Sequence, residues 1–158
     1  MINLPASVLA LVENNPVEDL MLAVLRQALP DIPVVSLFGQ HDKPPYILVR
    51  RIGSLGGWDG DPRFTDYGRF SINTLTADPD GDEKSALLSE AVRVVLRNAW
   101  LSHVSIPGIG SVTSIKMTHE PTRRTDWATS TGPVQFADLP TGFWRYESIY
   151  ELKVRRPN

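Results

Sequence analysis

Apolar residues recur at three- and four-residue steps in two stretches of this chain and alternate with polar ones in most of the rest. Helix and strand must therefore share one fold. The first helical stretch opens at Asn14-Asn15-Pro16, where Asn suits an N-cap and Pro suits the first helical position. Glu18 and Asp19 sit in the first turn, which favours negative charge. Val17, Leu20, Met21, Val24, Leu25 and Ala28 make one stripe, and Pro30 and Pro33 stop it, predicting a helix over 16–29. The second stretch follows the turn Asp78-Pro79-Asp80-Gly81-Asp82 and predicts a helix over 82–99. Its apolar face is Leu87, Leu88, Ala91, Val92, Val95, Leu96 and Ala99, with Glu90, Arg93 and Arg97 as a solvated ladder opposite.

Strand-like runs fill the remainder. Val34–Phe38 is a short one, closed by Gly39; Tyr46–Ile52 and Phe64–Thr76 are longer and flank the glycine-rich loop Gly53–Pro62, predicting an extended β-hairpin. Val112–Thr118 and Arg145–Val154 follow the second helix, the latter with Tyr146, Tyr150, Leu152 and Val154 on one face. Between them Glu120–Gly142 is rich in Thr, Pro, Gly and Asp, and a connection of that length is functional or disordered rather than ordinary. The order α-β-β-β-α-β-β packs most economically as an α+β fold. Two helices would lie on one face of a mostly antiparallel sheet of about five strands, in one domain over 1–158. Residues 1–15 read as an N-terminal docking segment, because no Lys or Arg precedes their apolar run as a secretory signal requires.

Composition narrows the chemistry. With no cysteine, thiolate zinc sites, iron–sulfur clusters, disulfides and thiol nucleophiles are excluded, and a reducing cytosol is the expected place of synthesis. No apolar run reaches the roughly 18 residues of a membrane span, so a soluble protein without a membrane partner is expected. A net charge of −2 removes the usual signature of a dedicated nucleic-acid binder.

Catalytic motifs are missing: there is no phosphate loop, no nucleophile elbow and no His-Glu-x-x-His. Gly53, Gly56 and Gly57 lack dinucleotide spacing and follow a hairpin strand. Asp78, Asp80 and Asp82 imitate a calcium loop but have Glu83 where it needs Gly and Ser89 where it needs Glu, so a helix-capping turn is expected. Asp59, Asp61 and Asp66 beside Trp58 could suggest a glycosidase or carbohydrate-binding loop, although three acids in one turn establish no cleft. His41, His103 and His119 are scattered. No catalytic residue, metal ligand or cofactor is expected, and the chain is not expected to be an enzyme.

What remains points to contacts with proteins. Arg123, Arg124, Asp126, Trp127 and Phe136 lie in the long loop, and Trp58 lies on the hairpin loop. Aromatic rings and arginines on polar loops bury area and form bidentate bonds, so Trp58, Arg123, Arg124, Trp127 and Phe136 are the candidate interface residues. The alternative is that each ring folds back over its own domain. Arg145, Lys153, Arg155 and Arg156 near the last strand read as a solvated edge, or as a surface for an acidic neighbour.

The run Ala28-Leu29-Pro30-Asp31-Ile32-Pro33-Val34, the strand ending Val49-Arg50-Arg51-Ile52-Gly53 and the strand Arg69–Ala77 come in a familiar order. The helix beginning Ala86-Leu87-Leu88-Ser89-Glu90, then Pro107-Gly108-Ile109 and a tyrosine-rich final strand, complete it. Over about 16–155 this resembles the tail terminator (tail completion) proteins of long-tailed bacteriophages, especially those of actinobacterial hosts. The resemblance implies a virion protein, assembled in the host cytoplasm, that forms a homo-oligomeric ring, a hexamer, at the head-proximal end of the tail. Such a ring caps polymerisation of the major tail tube protein and presents a joining surface to the head–tail connector or stopper, while genomic DNA passes its lumen without specific binding. A head–tail stopper or head-completion factor is the neighbouring alternative, and a small hydrolase or carbohydrate-binding module the distant one.

Overall fold

The computed structural model describes residues 5–9, 16–37, 43–53, 64–124 and 143–156. After a single turn, α1 (Ala6–Leu9), the chain runs through α2 (Pro16–Ala28), β1 (Val34–Val35), β2 (Tyr46–Arg51), β3 (Thr65–Ala77), α3 (Gly81–Leu101), β4 (Ser105–Ile106), β5 (Gly110–Arg124) and β6 (Phe143–Arg155). The strands form one sheet in the order β1-β2-β3-β6-β5-β4. Only the β1–β2 pairing is parallel. This is the α+β architecture expected, with α2 and α3 packed on the sheet.

Three details correct the reading above. Of the expected strand Val34–Phe38, the described residues 34–37 provide two strand residues, Val34 and Val35. An unexpected sixth strand, Ser105–Ile106, folds back onto Gly110 and Ser111 around Pro107-Gly108. Neither two-residue strand is long enough to show a period of two. The third concerns the stretch taken as loop from Glu120, which is still strand as far as Arg124. Its register against β6 shifts between Val112 and Ser114, Met117 and His119, and His119 and Thr122, so the alternation that marks a strand is broken there.

The core lies between helices and sheet. Val17, Leu20, Met21, Val24 and Leu25 of α2 and Val92, Leu96 and Ala99 of α3 are buried against Ile47, Val49, Phe70, Ile72, Tyr150, Leu152 and Val154. Fully burying a side chain of this size stabilises the fold by roughly 1.5–3 kcal/mol. Close approach of α2 requires a glycine at 68, where a Cβ would stand 2.8 Å from the Phe70 ring and 2.9 Å from Val17. Arg26, in the last turn of α2, ties the helix to β1 by donating two hydrogen bonds to the Val34 carbonyl, at 3.0 and 2.8 Å. Under α3 the contact with β3 is polar: the Thr74 hydroxyl donates to the Ser85 carbonyl at 3.0 Å, and the Ser85 hydroxyl donates to the Thr74 carbonyl at 2.8 Å.

α3 faces the sheet largely as expected, with Val92, Leu96 and Ala99 buried, Leu88 and Val95 packed against the core and Glu90, Arg93 and Arg97 exposed, and departs from expectation at Leu87. Ser85, Ser89, Val92, Leu96 and Ala99 face the sheet, and Leu87 is 72% exposed. Seven-residue steps align Leu87 with Val94 and Leu101, which are also exposed, as an apolar stripe pointing to solvent.

Candidate functional site

Among the described residues the sheet has one face covered by helices and one without them, and strand alternation assigns each side chain to one or the other. Directly paired residues share a face, so the register fixes the helix-free surface. From β2 it takes Tyr46, Leu48 and Arg50; from β3, Thr65, Tyr67, Arg69, Ser71, Asn73 and Leu75. From β6 come Arg145, Glu147, Ile149, Glu151, Lys153 and Arg155, and from β5 Ser111, Ser114, Lys116, His119, Thr122 and Arg124.

Its centre is a polar network around Glu147. The Ser71 hydroxyl donates to Glu147 Oε1 at 2.5 Å, and Asn73 donates to Ser71 at 2.9 Å. Arg124 Nε donates to Glu147 Oε2 at 2.7 Å, and Arg145 donates to Asn73 Oδ1 at 3.2 Å. Burial alone would raise the Glu147 pKa. The Ser71 hydroxyl and the Arg124 and Arg145 guanidiniums outweigh it and hold the carboxyl below its usual range. Burial pulls Arg145 down to about 10, opposed by Glu147 and reinforced by Arg124 and Arg50, so it is a cation at neutral pH. Ser71 and Asn73 are almost fully buried on this helix-free face, together with Tyr46, Leu48 and Leu75, which form a small apolar cluster with Val35.

A second constellation locks the start of α3 to the β5–β6 hairpin. A Cβ at Gly81 would come within 2.1 Å of Trp144 Cδ1, so the indole rests directly on the first turn of α3. Its Nε1–H donates to Asp78 Oδ1 at 2.7 Å, and the Arg123 guanidinium stacks 4.2 Å from the ring centroid. Arg123 also lies 3.5 Å from Asp82, which accepts a hydrogen bond from Tyr146. Burial and then that bond push the Tyr146 phenol up. The helix cap itself is not the expected side-chain cap: Asp80 adopts the left-handed conformation at φ 61° and makes no side-chain cap hydrogen bond.

Of the five candidate interface residues, Trp58, Trp127 and Phe136 lie outside the described residues. Arg123 and Arg124 are strand residues on opposite faces of β5, the first engaged with Trp144 and Asp82, the second with Glu147. Adjacency in sequence separates them here, because successive strand residues point apart. Asp59 and Asp61 also lie outside the described residues. Asp66 lies on β3, where its carboxylate accepts the Tyr67 amide at 2.8 Å. His103 approaches the Val112 carbonyl at 3.3 Å, and His119 lies opposite Ile149 on the helix-free face. Among the described residues no group of three His, Cys, Asp or Glu could hold a metal ion, and no helix is long and apolar enough to cross a membrane.

Besides the stripe on α3, exposed large apolar residues occur at Ile52 and Phe64, where β2 ends and β3 is about to begin. A shallow groove of about 190 Å³ runs along α3, lined by Arg93, Val94, Arg97, Trp100, Met117 and Tyr150.

No family model and no curated protein matches the chain. A solved structure of an uncharacterised protein is similar to it, with a TM-score of 0.44 and 9% identity, over 89% of this chain and 96% of that one.

Proposed function

We propose that this chain is a ring-forming tail terminator of a long-tailed bacteriophage, capping the tail tube and offering its other side to the head–tail connector. The observation that supports the reading best is the pair of apolar patches on different elements. One is Leu87, Val94 and Leu101 on α3; the other is Ile52 and Phe64 beside the β2–β3 hairpin. A closed ring needs two different surfaces on each copy, the patch of one meeting the other patch of its neighbour. Leu87, Val94 and Leu101 lie outside the core of their own subunit, and Ile52 and Phe64 are each about half exposed. The order of elements, the basis of the resemblance, is also retained in the fold: a helix, a hairpin, a long helix and a final pair of antiparallel strands.

The reading is tested by adding the purified protein to polymerising major tail tube protein and measuring tube length. A terminator caps growing ends, so tubes should shorten as its concentration rises, at amounts well below one copy per tube subunit. Tubes of unchanged length would contradict it.

A further inference from the structure

We propose that the groove between α3 and β5 is a binding site for a small carboxylate carrying an aromatic or branched apolar group. Its place follows from the helix and strand periods. Arg93, Arg97 and Trp100 are three or four residues apart and share one side of α3, and Met117 lies directly opposite Tyr150 in the β5–β6 register, on the helix-covered face. Leu96, Ile115 and Tyr150 are buried and form the floor, while Trp100, 43% exposed, and Met117 form walls. The volume of about 190 Å³ suits one ring and a short chain, since a cavity of about 150 Å³ holds benzene.

Two polar groups in this apolar lining are uncommitted. Tyr150 is 2% exposed, and its hydroxyl completes no hydrogen bond. Burial raises its pKa and nearby Ser148 offsets only part of the rise, so the hydroxyl keeps a proton to donate. Buried hydroxyls in native structures are paired as a rule, so this one marks a place for an acceptor. Arg97 is exposed at the rim, and its guanidinium makes no ion pair or hydrogen bond among the described residues. Arg93 differs, because Glu90 accepts its Nε–H and Glu120 acts on it from β5. An apolar groove with one free cation and one free hydroxyl selects a carboxylate attached to hydrocarbon. The Arg97 guanidinium and the Tyr150 hydroxyl donate to the carboxylate, and the apolar group lies against the Trp100 ring and the Met117 thioether.

The inference goes beyond the ring reading and does not rest on it, because one subunit holds the whole groove. The experiment titrates the full chain, labelled with nitrogen-15, with sodium 3-phenylpropionate at neutral pH and follows the indole N–H signals by NMR; W100F identifies the signal of Trp100. That signal should shift saturably, with a Kd of about 1 mM or tighter. Phenylpropanol keeps the ring without the charge, and propionate keeps the charge without the ring. Each should bind about ten times more weakly than the parent acid. R97Q and Y150F should each weaken 3-phenylpropionate about tenfold, and R97Q should leave phenylpropanol unchanged. K84Q, near the other end of α3, should change nothing. Because Arg97 is exposed, R97Q decides the matter even if Y150F fails to fold. No saturable shift up to about 20 mM, ten times the range in which a ligand of this size binds, would overturn the proposal. So would phenylpropanol bound as tightly as the acid, or R97Q binding the acid like wild type.

Discussion

At the scale of single residues, burial and hydrogen bonding separate positions that look alike in sequence. Tyr150 is 2% exposed among Phe70, Leu152 and Val154, whereas Tyr146 works at the helix clamp. Y150D should therefore lower unfolding free energy by about 2 kcal/mol or more through an unpaired buried charge, while Y150F should cost under about 1 kcal/mol. Urea unfolding followed by circular dichroism measures both. Gly81 gives a sharper case, because an alanine there normally favours a helix but meets the Trp144 ring at 2.1 Å. G81A should destabilise by about 1–3 kcal/mol, the opposite of its helix propensity, and the same melts decide it. Glu147 adds a pH dependence. A carboxylate held below its usual range stabilises the fold above its unfolded pKa and loses that contribution as pH falls through the folded one. The advantage of wild type over E147Q should be full at pH 7 and fade below about pH 4.5.

At the scale of elements, the sequence conveyed both helices and most of the face each buries, with Ala28 and Leu87 as the exceptions. On α2 the expected stripe is buried at Val17, Leu20, Met21, Val24 and Leu25 but not at Ala28, and Leu22 is buried beside it. The helix ends at Ala28 ahead of Pro30, while the expected cap at Asn14-Asn15 lies outside the described residues. On α3 the apolar residues are too many for one face, and Leu87 belongs to both the stripe counted from Leu88 and the stripe repeated at Val94 and Leu101. Only the sheet decides between them, choosing the side where Ser85 can bond Thr74. L87D should accordingly change the stability of the isolated subunit by no more than about 0.5 kcal/mol, where a core leucine would cost several. If the stripe joins neighbouring copies, L87D/V94D should abolish higher oligomers in sedimentation velocity while leaving the melting curve in place. The bulged β5 eluded its sequence for a related reason, since three register shifts erase its alternation and a proline lies at position 121. The candidate site was hidden further, because seven basic residues from four strands share a face only once the registers are known.

At the scale of the whole molecule, the fold sorts its surfaces by chemistry. Among the described residues one side of the sheet is rich in Lys and Arg and carries no helix, the outer side of α3 carries an apolar stripe, and the end of the β2–β3 hairpin carries exposed apolar side chains. A subunit of the proposed ring would have use for the two apolar patches, one toward each neighbour. Composition averages such a division away. Among the described residues seven Lys and Arg and two Asp and Glu share one side of the sheet, a local excess that a net charge of −2 for the whole chain does not show. The most direct test is electron microscopy of lysates from a phage in which the gene for this chain is disrupted. Overlong, unattached tails beside filled heads are the expected result. Tails of normal length beside heads that leak their DNA would contradict it and move the protein to the stopper side of the neck, and intact infectious particles would remove it from the neck altogether.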